Sequence, residues 1–253
     1  MGVIVLPFVE LASLAEPAIS LPPATFEKLD VMPTSTVHLL RHGEVHNPAR
    51  VLYGRLPDFH LSALGREMAE CLAEHFVRQA HDGARFVLLA ASPLTRAQET
   101  AAPTAAALGL EVETEPRIIE AENHFEGLRV TKGELLRPRH WRYLVNPLRP
   151  SWGEPYEEQA ARVLGAVADA ARVAVERGGN GAEAILVAHQ LPIWAARLKA
   201  EGRRLAHDPR RRECTLTSVT SLDVDADTGA VIRVRYSEPA ARLLPGAAST
   251  PGA

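Results

Sequence analysis

Two histidines and two arginines stand where apolar runs give way to polar residues. Thr36-Val-His-Leu-Leu stops at Arg41-His42, Arg85 to Ala91 stops at Ser92-Pro93 with Arg96 one helical turn beyond Ser92, and Ala184 to Ala188 stops at His189. A guanidinium carries permanent charge and forked donors that match phosphate oxygens, and a neutral imidazole can attack phosphorus. The four side chains suit a phosphate group, provided the three runs end side by side.

The runs are short, apolar and β-favouring, as strands covered on both faces are. Between them lie helical patterns. Ser62 to Gln79 places Leu64, Met68, Leu72 and Phe76 four apart, and Pro155 to Arg177 repeats Val163, Val167 and Ala171 before Gly178-Gly179. Ser92-Pro93 reads as an N-cap followed by proline at the first helical position. Strands alternating with amphipathic helices predict an α/β fold with a mostly parallel central sheet and helices on both faces, a three-layer arrangement. In such sheets ligands bind beyond the carboxyl ends of the strands, where Arg41, His42, Arg96 and His189 fall. Thr215 to Val224 and Val231 to Tyr236 alternate around Asp227-Thr-Gly229 and read as a closing hairpin. The expected domain spans residues 32–238. Residues 1–31 read as a loosely ordered extension, and 239–253, rich in Ala, Gly, Pro and Ser, as a disordered tail.

Four motifs in order, Arg41-His42-Gly43-Glu44, Tyr53-Gly54-x-x-x-Asp58-x-x-Leu61-Ser62-x-x-Gly65, Ser92-Pro93-Leu94-x-Arg96-Ala97-x-x-Thr100-Ala101 and Leu186-Val187-Ala188-His189, resemble those of the histidine phosphatase superfamily. That family includes phosphomonoesterases and the cofactor-dependent phosphoglycerate mutases. The resemblance implies that His42 is the nucleophile that becomes phosphohistidine and that Arg41, Arg96 and His189 bind phosphoryl oxygens. It also implies a proton donor for the leaving group, with Glu120 in Arg117-Ile-Ile-Glu120 the first candidate and Glu122 and Glu126 its rivals. Asn47, Ser92 and Gln190 are candidate substrate contacts. Asn47 follows the nucleophile by five positions where many members have six, and Gln190 stands where glycine usually follows the second histidine. The activity implied is metal-independent hydrolysis of a small phosphorylated metabolite. A mutase-type transfer and a non-catalytic phospholigand-binding protein are the alternatives.

Several features read as structural. His38, inside its strand, and Cys71, beside Leu72, read as core. Arg210-Arg211-Arg212 reads as a solvated run, with a place on the phosphate rim as the alternative. The irregular stretch Phe125 to Pro155 holds Arg129, Arg137, Arg139, Arg142 and Arg149 with Trp141, Tyr143 and Trp152. It reads as a lid that adds anion affinity and a stacking ring, or as a loop that its aromatics anchor.

Composition narrows the remaining classes. The 253 residues carry a net charge of -3 although 25 of the 28 basic residues are arginine, which argues against nucleic-acid binding. No stretch approaches the roughly 18 apolar residues of a membrane span. Two cysteines at unrelated positions suggest a reducing compartment and no zinc site, so neither metal nor other cofactor is expected. Glu10 and Glu16 interrupt the apolar start and no basic residue precedes it, so a cytoplasmic location is expected. Because the motif-bearing strand begins after Met32, removing residues 1–31 should leave a folded, active protein. A truncated chain without native circular dichroism would overturn this domain boundary.

Overall fold

The structure, a computed structural model, describes residues 2, 32–146 and 151–247. The chain divides into Met1–Val31 and Met32–Ala253. The expectation for 1–31 lies, apart from Gly2, outside the described residues.

The second unit is built on a six-stranded sheet. Its strands are β1 (Thr34–Arg41), β2 (Phe86–Ala91), β3 (Val112–Thr114), β4 (Glu183–Ala188), β5 (Val219–Asp225) and β6 (Val231–Ser237). Their order is β3-β2-β4-β1-β5-β6. The first four run parallel, while β5 and β6 are antiparallel and form the expected hairpin. The mostly parallel sheet agrees with the sequence.

Alternation along the strands separates the two faces. Val37 and Leu39 of β1, Leu88 and Ala90 of β2, and Ala184 and Leu186 of β4 pack on one side against α4 (Tyr156–Gly178) through Val163, Val167 and Ala171. Ile193 and Ala196 of α5 (Gln190–Ala200) join that core. Leu40, Leu89, Ile185 and Val187 face the other way, toward Leu72 and Phe76 of α1 (Ala63–His81) and Ala97 and Ala101 of α2 (Thr95–Leu108). His38 is buried as expected, held by Ser221 Oγ at 2.9 Å and Glu183 Oε2 at 2.6 Å.

Three elements differ from the sequence reading. Strand β3 has only three residues, two of them exposed, too few to show a pattern. Helix α5 is buried at every position from Pro192 to Leu198, so it lacks the one-sided apolar stripe that marks an amphipathic helix. Ser92 does not cap α2, whose first turn begins at Thr95 after Leu94, and Ser92 Oγ instead meets His189 Nε2 at 2.7 Å.

The predicted tail is corrected for 239–247. Ala241–Gly246 forms a 3₁₀ turn, and Leu243, Leu244 and Ala247 pack with Ala240 against Met68 and Cys71 of α1. Composition pointed to disorder, but two adjacent leucines find the outer apolar strip of α1. Residues 248–253 lie outside the described region. Leu243→Ala combined with Leu244→Ala should lower the urea stability by about 1–3 kcal/mol, the scale for removing part-buried leucines. An unchanged midpoint would restore the disordered-tail reading.

Candidate active site

Strand pairing brings the predicted residues together. Arg41 of β1 stands beside Ala188 of β4, and Ala91 of β2 beside Val187. The ladder continues past the strand ends, where His42 N–H donates to Ala188 O at 3.1 Å and Ser92 N–H donates to Val187 O at 2.9 Å. His189, the next residue of the middle strand, therefore stands between His42 and Ser92. The two imidazole centroids are 5.2 Å apart, and both rings are fully buried.

The approach to His42 requires glycine. A Cβ on Gly43 would come within 2.6 Å of Gly65 O, and one on Gly65 within 2.0 Å of Glu44 O. The loop after β1 thus lies directly on the first turn of α1, which Ser62 caps by accepting from Gly65 N–H at 2.9 Å. Ser62 Oγ also donates to the Glu44 carboxylate, and Thr100 Oγ of α2 accepts from Gly43 N–H at 3.0 Å.

A hydrogen bond to a backbone carbonyl defines the His42 tautomer. His42 Nδ1 lies 2.8 Å from Gly43 O, which can only accept, so Nδ1 carries the proton and Nε2 keeps its lone pair. Nε2 is buried with no partner among the described residues. His189 Nε2 meets Ser92 Oγ at 2.7 Å, and its Nδ1 is also buried and without a partner among the described residues. The two rings thus leave His42 Nε2 with a lone pair and His189 Nδ1 unengaged, side by side.

The guanidiniums are fixed by backbone carbonyls. Arg41 Nη1 donates to Cys214 O at 2.8 Å, and Arg96 Nη2 donates to Gly54 O at 2.5 Å while its guanidinium lies 4.7 Å from the Tyr53 ring centroid. Burial, followed by the charges of Arg96 and Arg41, holds the His42 pKa well below its ordinary value, although the bond to Gly43 opposes this. His189 is likewise held well below, chiefly by burial and Arg96. Burial raises the Tyr53 phenol to about 12, so it stays protonated.

A sequence model of the histidine phosphatase superfamily (branch 1) matches residues 37–237. The chain belongs to the histidine phosphatase superfamily. It is 53% identical over 213 residues to the uncharacterized protein Rv0525 of Mycobacterium tuberculosis, covering 83% of this chain and all of that one. Among solved structures it is similar to mycobacterial glucosyl-3-phosphoglycerate phosphatase at 26% identity and TM-score 0.63, covering 81% of this chain and 97% of that one. Phosphoserine phosphatase from Entamoeba histolytica, at 17% identity, TM-score 0.62 and coverage of 81% and 98%, shares the fold.

Among the three candidate acids, Glu120 is buried, whereas Glu122 is exposed and Glu126 half-buried. Glu126 Oε1 accepts from Arg55 N–H at 2.9 Å and fills the space that a side chain at Gly54 would take. Glu120 Oε1 accepts from Ala121 N–H at 2.8 Å, and burial raises the carboxyl pKa above its usual range against the pull of that bond and of Arg96, Arg41 and Arg212. Its segment is clamped from outside. Arg55 Nε donates to Glu120 O at 2.7 Å, and Arg55 and Arg162 both bind the Glu154 carboxylate.

The substrate-contact candidates divide. Ser92 orients His189. Asn47 Nδ2 donates to Val51 O at 2.8 Å and its Oδ1 accepts from Val51 N–H at 3.2 Å, so in this conformation it closes its own loop. Gln190 Nε2 donates to Cys214 O at 3.1 Å, the carbonyl that also receives Arg41. Arg212 is corrected from the solvated run: Arg210 and Arg211 are exposed, but Arg212 turns inward and donates to His207 Nε2 at 2.9 Å and to Gln190 Oε1 at 3.4 Å.

The sequence singled out neither Arg55 nor Arg162 for the site. Arg55 stands directly after the Tyr53-Gly54 motif, a signal that was present, whereas Arg162 carried none on its helix. In the irregular stretch, Tyr143 stacks on His124 at 3.5 Å, and Arg137 and Arg139 pair with Glu134. Those contacts tie the segment to itself and to His124. Arg149 lies outside the described residues. Among the described residues no group of three or more His, Cys, Asp and Glu could hold a metal.

The lowered His42 pKa fixes the sign of a stability effect. As pH falls, the unfolded chain protonates this imidazole near 6.5 while the folded chain still keeps it neutral. The contribution is fully present above 6.5 and is lost downward until the lowered folded pKa is reached. From pH 7.5 to 5.5, wild type should lose about 1.4 kcal/mol more stability than His42→Gln in urea titrations. Equal losses would mean that His42 is not held neutral by the fold.

Proposed function

We propose that the protein hydrolyses a small phosphomonoester without a metal, through a phosphohistidine on His42. The observation that carries this reading is the unpartnered Nε2 of His42, buried beside Arg41 and Arg96 and freed by the bond from Nδ1–H to Gly43 O. The similarity to mycobacterial glucosyl-3-phosphoglycerate phosphatase supports the reaction class.

The Nε2 lone pair attacks phosphorus, and the bond to the alcohol oxygen breaks in line. That oxygen takes the electron pair together with a proton from the Glu120 carboxyl, which burial keeps protonated into a higher pH range. Arg41, Arg96 and His189 Nδ1–H hold the three equatorial oxygens and stabilise the charge that spreads over them. Water then attacks the phosphohistidine, Glu120 carboxylate takes its proton, the nitrogen–phosphorus electrons return to Nε2, and inorganic phosphate leaves.

The test separates nucleophile from acid. His42→Ala should abolish both the covalent phosphoenzyme and turnover. Glu120→Gln should slow alkyl phosphates by about 10²- to 10⁴-fold while affecting p-nitrophenyl phosphate far less, because p-nitrophenolate leaves without a proton. Equal losses on both substrates would remove Glu120 as the donor. A phosphoenzyme that persists in His42→Ala would overturn the nucleophile.

A further inference from the structure

Beside the catalytic group lies a cavity of about 370 Å³, large enough for much of a small organic molecule. It meets that group at three points: Gly54, whose carbonyl receives Arg96, the acid candidate Glu120, and Gln190, which directly follows His189. The space therefore lies where the alcohol half of a phosphomonoester would extend. Its wall is apolar, formed largely by Leu52, Phe125, Leu135, Leu144, Trp152 and Leu191.

Resting on the hydrolase reading above, we infer that the site selects phosphomonoesters whose alcohol is an apolar body, aryl or alkyl, over phosphorylated sugars and hydroxy acids. A sugar brings several hydroxyl groups, and each one buried without a partner carries a desolvation cost. The cavity has few polar groups to meet them. Glu120 Oε1 accepts from Ala121 N–H, Asn123 Oδ1 accepts from Phe125 N–H, Gln190 is engaged at Cys214 O, and Arg212 binds Gln190, His207 and the Tyr156 phenol. An alkyl chain or ring needs no such partners and gains by leaving water.

A second observation points the same way. The segment that supplies Leu135 and Leu144 to the wall exposes their neighbours Leu136 at 72% and Val145 at 74%, together with Trp141 at 59%. Isolated exposed apolar residues are ordinary, but three large ones within ten positions, next to an apolar cavity, extend the same surface outward. A chain longer than the cavity would leave it along apolar side chains. Among the aromatic residues of this stretch, Phe125 and Trp152 line the cavity, and not the Trp141 or Tyr143 that the sequence offered for stacking.

The experiment uses the full chain and a series in which the reacting bond stays constant: methyl, butyl, hexyl and octyl phosphate, with glucose 6-phosphate, 3-phosphoglycerate and p-nitrophenyl phosphate alongside. Since the primary alkyl leaving groups differ little in acidity, a trend in kcat/KM reports burial. It should rise about fourfold per methylene until the cavity is filled. Octyl phosphate should exceed both polar esters by about 100-fold or more. Leu135→Asn and, separately, Leu144→Asn, both outside the two sheet cores, should flatten the rise. A flat series in wild type, a polar ester hydrolysed as well as octyl phosphate, or an unchanged slope in both variants would overturn the inference while leaving hydrolysis intact. Failure of every ester, p-nitrophenyl phosphate included, would overturn the hydrolase reading and this inference with it.

Discussion

The site depends on the parallel ladder between β1 and β4, because the two strands end in register and the next residue of each is a histidine. His42 N–H extends the ladder by one rung to Ala188 O, so the imidazoles are set by backbone hydrogen bonds and not by the reach of long side chains. Inserting β4 between β1 and β2 also delivers Ser92 to His189. Such placement suits chemistry in which a nitrogen must meet phosphorus along a narrow line of approach. Beyond the ladder, the loop after β1 lies so close to the first turn of α1 that glycine is required at both 43 and 65.

That geometry sets up an electrostatic asymmetry. Guanidinium is basic enough to keep its proton when buried, whereas imidazole is not. Burying both types together leaves Arg41 and Arg96 as cations and drives His42 and His189 neutral. Glu120 responds in the opposite direction, because burial favours its protonated form more than the nearby guanidiniums favour the carboxylate. One physical cause, exclusion of water, thus favours a neutral His42 and a protonated Glu120, the states that the proposed mechanism requires of them.

What the sequence revealed follows from how each residue is held. The strands and the four motifs were legible because a continuous apolar run ending in Arg-His or His needs only local pattern to be noticed. Arg212 was hidden by its neighbours: in a run of three arginines nothing local says which one turns inward, and its contacts to His207 and Gln190 come from chain reversal and from a distant helix. Asn47 was legible as a polar residue near the nucleophile but not as one committed to Val51. The tail misled because composition averages over residues, and two leucines meeting α1 lie in a segment otherwise made of Pro, Ala, Gly and one Arg. Helix α5 escaped because burial on all sides erases the period by which helices are recognised.

The cavity also bears on the choice between hydrolysis and a mutase-type transfer. Both begin with a phosphohistidine, but a mutase must hold the dephosphorylated alcohol long enough to return the phosphoryl group to a second hydroxyl, and must exclude water meanwhile. Retaining a polar, multiply charged intermediate calls for several directed hydrogen bonds and ion pairs. Here Arg212 is the arginine that lines the cavity, and the remaining surface is mostly apolar. An apolar body holds its place by area and not by direction, so it offers little to orient a second hydroxyl toward phosphorus. The apolar wall therefore favours hydrolysis over transfer as the outcome of the proposed first step.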